Sequence, residues 1–105
     1  MPNLDNVTYL FYDGGQKGKL FMTLFIKFYT KPKCSLCDEV RILLNKLSKR
    51  YSLDVEEVNI LNDPTLYERY KYEIPVLSFP DLSQLQGKIE PDRLREKLDL
   101  VFKNN

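Results

Sequence analysis

The apolar and polar positions of this chain alternate with two different periods, and the switches between them mark its elements. From Leu24 to Tyr29, Leu24, Ile26 and Phe28 fall on one face of an extended strand and Phe25 and Tyr29 on the other, because strand side chains alternate with period two. Apolar residues on both faces predict an interior strand. From Ser35 to about Arg50 the period lengthens. Leu36, Val40, Leu43, Leu44 and Leu47 recur at the spacing of one helix face. Asp38 and Glu39 in the first turn, and Lys46, Lys49 and Arg50 in the last, complement the helix dipole. Asp54 to Ile60 predicts a second strand. Asn62-Asp63-Pro64 signals a short second helix, with Asp63 as N-cap, Pro64 as first helical residue, and Leu66, Tyr67 and Tyr70 as its buried side. Pro75 to Phe79 and, more weakly, Leu82 to Gln86 read as two more strands. Their connection is expected to be loose, since Pro80 cannot take the positive φ of a tight primed hairpin turn. A third helix runs from Pro91 to about Phe102 and turns Leu94, Leu98 and Val101 toward the sheet.

The resulting order is β-α-β-α-β-β-α, an α/β fold. Its opening βαβ unit implies a parallel strand pair with a right-handed crossover. Its closing ββα implies an antiparallel hairpin covered by the last helix. Residues 22–105 form this domain, and residues 1–21 are an N-terminal extension. Val7 to Tyr12 has strand-like composition without clear alternation, which fits either a weak edge strand or a frayed arm. The 105 residues suffice for one modest core and not for two. A net charge of +1 argues against nucleic acid or an acidic membrane as partner. No apolar run approaches the roughly 20 residues that span a bilayer. The first residues lack the pattern of a signal peptide. The cytoplasm and a monomer are therefore the expectation.

The only two cysteines, Cys34 and Cys37, stand at C-x-x-C spacing between the first strand and the first helix. In a reducing compartment such a pair is more readily catalytic than a structural staple. Disulfide exchange needs a thiolate nucleophile and a second thiol that resolves the mixed disulfide. Cys34 sits at the helix start, where unpaired backbone N–H groups point outward, and Lys31 and Lys33 precede it. Both effects favour its thiolate. Cys37 lies one turn further on, near the apolar stripe. Cys34 is thus the expected attacker and Cys37 the resolver. The competing reading is a pair of small buried hydrophobes. A closed zinc site would need four ligands, and the chain has no histidine and no third cysteine, so no metal is expected. Ile74-Pro75 opens the third strand. A cis bond there would offer the Ile74 backbone to an extended substrate, whereas a trans bond would be an ordinary strand start.

These residues together resemble a known family. The element order, the C-x-x-C at the first helix and the X-Pro before the third strand are similar to the thioredoxin fold, with a four-stranded mixed sheet flanked by helices. Tyr29-Thr30-Lys31-Pro32-Lys33-Cys34 resembles the active-site approach of glutaredoxins. Cys34-Ser35-Leu36-Cys37-Asp38-Glu39, followed by Val58-Asn59-Ile60, Asp63-Pro64 and Ile74-Pro75-Val76-Leu77, resembles a glutaredoxin-like subgroup. The resemblance covers about residues 23–102. It implies a thiol–disulfide oxidoreductase with Cys34 as nucleophile, Cys37 as resolving thiol and Pro75 as a cis-proline. It also implies that Lys31 meets a carboxylate of glutathione, with no bound cofactor and with glutathione as a candidate reductant. The substrate would be glutathione-linked or protein disulfide. Three stretches depart from the glutaredoxin pattern: Ser35-Leu36 between the cysteines, Glu73-Ile74-Pro75 for Thr-Val-Pro, and Gln86-Gly87-Lys88 with one glycine. An adaptor or redox-sensing module is the alternative from another class. A third is an iron–sulfur cluster held by Cys34 of two chains.

Overall fold

One long strand organises the molecule. In the computed structural model, which describes residues 9–12 and 20–103, β1 (Tyr9–Tyr12) is followed by β2 (Leu20–Thr30), α1 (Ser35–Leu47) and β3 (Leu53–Asn59). A 3-10 turn at Ile60–Asn62 leads to α2 (Pro64–Tyr70), β4 (Val76–Ser78), β5 (Gln84–Gln86) and α3 (Pro91–Lys103). β2 pairs in parallel with β3 from Leu24↔Leu53 to Thr30↔Asn59. On β2's other side, Lys27 to Tyr29 pair antiparallel with Ser78 to Val76 of β4, and β5 closes the hairpin. This is the expected four-stranded mixed sheet. β1 adds a fifth strand by pairing antiparallel with the leading residues of β2, Tyr9↔Thr23 to Tyr12↔Leu20. Of the strand-like run in the N-terminal extension, Val7 and Thr8 lie outside the described residues.

The two faces of β2 are packed differently. Leu24, Ile26 and Phe28 are buried with Cys37, Val40, Leu44 and Leu47 of α1 and with Leu94, Leu98 and Val101 of α3. Tyr29 and Val76 face the other way and pack with Ile60 and Tyr70. The Tyr29 and Tyr70 rings stack with centroids 4.5 Å apart, and the Gln84 side-chain amide donates to the Tyr70 hydroxyl at 3.1 Å. Burial, with Tyr70 alongside, pushes the Tyr29 phenol above its ordinary range.

Two expectations are corrected in detail, and a third is met. α1 stops at Leu47, because Ser48 turns its hydroxyl onto the Asn45 carbonyl (2.9 Å), and Arg50 and Tyr51 both donate to Leu47 O (2.9 Å) in a closing turn. α2 has only seven residues, so it buries Tyr70 and part of Leu66 and leaves Tyr67 exposed. The β4–β5 turn is loose as expected, but its positive φ falls on Leu82 (φ 72°). Leu82 N–H donates to Phe79 O at 2.8 Å. Asp81 braces this turn by accepting from Ser83 N–H (3.0 Å) and Ser83 Oγ (2.6 Å), while Lys97 of α3 donates to its other oxygen at 2.8 Å. Burial pushes the Asp81 carboxyl up, but the bonds from Lys97 and Ser83 outweigh it and hold the carboxyl below the usual range.

Candidate active site

The site lies where β2 ends. Thr30 is the last strand residue, and Lys31 to Lys33 turn the chain toward α1. Lys33 makes that turn with a left-handed backbone, φ 58°. Cys34 then returns to extended geometry (φ −124°, ψ 105°) and is the N-cap of α1. Its Sγ accepts a hydrogen bond from Cys37 N–H at 3.1 Å, and its carbonyl accepts the first helical bond, from Asp38 N–H, at 3.1 Å. The sulfur therefore occupies the place that a serine or aspartate oxygen takes in an ordinary cap, at the positive end of the helix dipole. Cys34 is partly exposed, whereas Cys37 is 0% exposed and belongs to the core under α1. The two sulfurs are at disulfide-bonding distance and the Cα atoms are 5.2 Å apart, within the ordinary span for a disulfide.

The strand register puts the second element at the same end of the sheet. Tyr29 pairs with Val76, so Pro75 comes level with Thr30, and the Ile74-Pro75 bond is cis. Ile74 and Cys34 pack against the same core cluster. Gly87, with φ 72°, sends its N–H to the carbonyls of both Pro75 (2.9 Å) and Glu73 (3.2 Å). One finding was not readable from the sequence. Ile74 N–H donates to Tyr70 O at 3.1 Å, so the donor expected to meet a substrate strand is already used by the end of α2.

Charges ring the dithiol. Lys31 and Lys33 are exposed, and among the described residues neither has a carboxylate within ion-pair distance. The two carboxylates that follow the cysteines are both paired. Asp38 accepts from Arg41 at 2.6 Å, and Glu39 meets Lys88, 49 positions along the chain, at 3.5 Å. Arg41 also clamps Glu57 of β3 with bonds of 3.1, 3.2 and 2.5 Å, and its guanidinium lies 5.7 Å from the centre of the Phe28 ring. Hydrogen bonds to Glu57 and then Asp38 raise the Arg41 pKa further and fasten the start of α1 to the sheet. Arg41 and Lys88 thus offset part of the negative charge that follows the thiols, and Lys31 and Lys33 add positive charge on the upstream side. Sequence reasoning missed Arg41, Glu57 and Lys88, since their partners are distant in the chain.

A cavity of about 200 Å³ opens beside the loop, lined by Lys31, Pro32, Arg41, Glu57 and Asn59 among others. A larger cavity of about 660 Å³ lies over β2 between Phe25 and Tyr29, with Lys27, Asp54, Glu56 and Leu82 on its walls. It touches neither cysteine. No group of three or more cysteine or acidic residues suited to a metal occurs among the described residues. Nor, among them, is any helix long and apolar enough to cross a membrane.

A mixed four-stranded sheet, a cysteine-capped helix carrying C-x-x-C and a cis-proline at the same sheet end define a thioredoxin-fold protein with a dithiol. Comparison with known proteins narrows the class. The family model of the Glutaredoxin-like domain (DUF836) matches residues 25–99, and the chain belongs to that family. A curated relative is a glutaredoxin-like protein of Dictyostelium discoideum described as a YDR286C homolog, 20% identical over 89 residues, with 79% of this chain and 82% of that protein covered. Among solved structures, target protein XcR50 from X. campestris superposes with a TM-score of 0.62 at 28% identity over 71% of this chain and 96% of its own. Protein Ne2328 from Nitrosomonas europaea does so with 0.62 at 25% identity, over 71% and 91%. A thioredoxin mutant from Halobacterium salinarum shares the fold, with a TM-score of 0.62 at 13% identity over 74% of each chain.

Proposed function

We propose that this protein is a thiol–disulfide oxidoreductase that reduces disulfides or mixed disulfides through Cys34 and Cys37. The observation that carries the reading is the cap geometry: a partly exposed Cys34 Sγ that accepts from Cys37 N–H, with Cys37 buried directly behind it. An N–H aimed at the sulfur, a helix N-terminus and two cations without carboxylate partners all favour the thiolate.

The reaction follows from these positions. The Cys34 thiolate attacks one sulfur of the substrate disulfide. A new S–S bond joins Cys34 to the substrate, and the substrate's other sulfur leaves as a thiolate. Cys37, within bonding distance, loses its proton to solvent and attacks the Cys34 sulfur. The substrate's second thiolate is released, and the substrate has gained two electrons as the protein pair becomes a disulfide. Two molecules of a low-molecular-weight thiol then return the pair to its reduced form and leave as their own disulfide. Glutathione is the candidate reductant, with Lys31 as the group for one of its carboxylates and the cytoplasm as the setting. Ile74 and Pro75 border the approach to Cys34, and Lys33 contributes field.

The test is an ultraviolet thiolate titration of the reduced protein alongside reduction of bis(2-hydroxyethyl) disulfide. We expect the Cys34 pKa to lie below the roughly 8.5 of a free thiol, and turnover to depend on Cys34. An ordinary pKa with no turnover would sink the enzyme reading in favour of an adaptor.

A further inference from the structure

We propose that Tyr72 is a substrate-docking residue, and that it selects disulfides carried on a protein segment with an apolar side chain beside the cysteine. The proposal rests on the dithiol reading and assigns that site its substrate class.

Three observations lead there. First, Tyr72 is 89% exposed, although a large aromatic ring gains most by burial. It precedes Ile74-Pro75 by two residues, at the border of the site. Second, the ring has a cationic neighbour. Lys71 Nζ lies 5.3 Å from its centroid and 5.5 Å from that of Tyr67. The same ammonium is tied to Glu68 at 3.0 Å. A cation–π contact is weak at an exposed site and strengthens when a partner's side chain covers the ring and displaces water, as for the aromatic anchors of interfaces.

Third, the backbone route for substrate binding is half closed. Capture of an extended segment by strand-like pairing relies on main-chain donors and acceptors. Here Ile74 N–H is bonded to Tyr70 O at 3.1 Å. Binding must draw more on side chains, and Tyr72 is the large exposed one at this border. Exposed Glu73, between Tyr72 and Ile74, adds negative charge beside the approach and disfavours the anionic glutathione tripeptide relative to a neutral apolar segment.

The experiment uses the full chain and three substrates. Two are short peptides whose single cysteine is a mixed disulfide with 2-mercaptoethanol, one flanked by leucine and phenylalanine, the other by serines. The third is bis(2-hydroxyethyl) disulfide. The wild type is expected to favour the apolar-flanked peptide. Tyr72→Ser should lower kcat/KM for that peptide about 10- to 30-fold, mainly through KM, as expected for loss of a hot-spot aromatic. Its rates on the other two substrates should stay unchanged, and Tyr72→Phe should behave as wild type. Equal wild-type rates on both peptides, or a Tyr72→Ser protein slowed equally on all three substrates, would overturn the docking role. Wild-type protein inert toward bis(2-hydroxyethyl) disulfide would be a separate failure, that of the dithiol reading, and would take this proposal with it.

Discussion

Among the described residues, two non-glycine residues hold a left-handed backbone, Lys33 (φ 58°) and Leu82 (φ 72°), and they stand at opposite ends of the sheet. Such a conformation costs a side-chain-bearing residue roughly 1 kcal/mol. At Leu82 it closes the β4–β5 hairpin, and the side chain is 84% exposed. There the backbone needs a residue that tolerates positive φ, and the hairpin itself makes no use of the leucine. At Lys33 the same conformation swings the chain from β2 into the cap formed by Cys34 and sets an exposed cation one residue before the thiol. One end uses the geometry for architecture alone. The other uses it for architecture and charge together.

Substitutions can break or sharpen this contrast. The largest effect is expected in the core that both ends share. Phe28, 1% exposed, pairs with Leu77 of β4, and Phe28→Ala should lower stability by about 3–5 kcal/mol in urea unfolding, with both ends lost in one transition. Asp81→Asn comes next and acts only at the hairpin end. Because the folded Asp81 carboxyl titrates below its ordinary value, its stabilisation is present above the unfolded pKa of about 3.9 and is lost as pH falls through the folded value. After allowing for its partial solvent exposure, the variant should be about 1 kcal/mol less stable near neutral pH and indistinguishable from wild type in strong acid. Urea midpoints at the two pH values check both magnitude and sign.

Gly87 is the third described residue with positive φ, at the dithiol end. A Cβ there would meet nothing within 4 Å, so Gly87→Ala should lose about 1 kcal/mol from backbone conformation alone. The smallest effects separate the two ends most sharply. Lys33→Gly and Leu82→Gly should each raise stability by about 0.5 kcal/mol, relief of the left-handed backbone being partly offset by a looser unfolded chain. Only Lys33→Gly should raise the Cys34 thiolate pKa, by about 0.3 to 0.5 unit. The same upward shift in Leu82→Gly would erase the distinction.

The sequence was most informative where local chemistry decides. Asp63 caps α2 through Thr65 N–H at 2.9 Å, with Pro64 first in the helix, as the Asn62-Asp63-Pro64 signal predicts. The alternation in Leu24–Tyr29 correctly assigns the two faces of β2, and the helix start fixes Cys34 as partly exposed and Cys37 as buried. What could not be read depends on distant partners. Lys49 and Arg50 are good helix formers, yet α1 ends before them, because Ser48 and Tyr51 fold the chain back toward β3. Tyr67 and Tyr70 look alike in sequence, and only the short length of α2 decides which one is buried. The Arg41–Glu57 clamp, the Glu39–Lys88 pair and the use of Ile74 N–H by Tyr70 each require the assembled sheet.

The most direct test of the central claim is a trapping experiment in which Cys37→Ser and Cys34→Ser proteins, both reduced, are incubated with a disulfide-linked peptide and weighed by mass spectrometry. Partly exposed, helix-capping Cys34 should attack, and without Cys37 the intermediate has no resolving thiol. Cys37→Ser should therefore accumulate a one-to-one mixed disulfide with the peptide while Cys34→Ser stays unmodified. Equal trapping by both variants, or trapping by Cys34→Ser alone, would contradict the roles that the cap geometry gives the two cysteines.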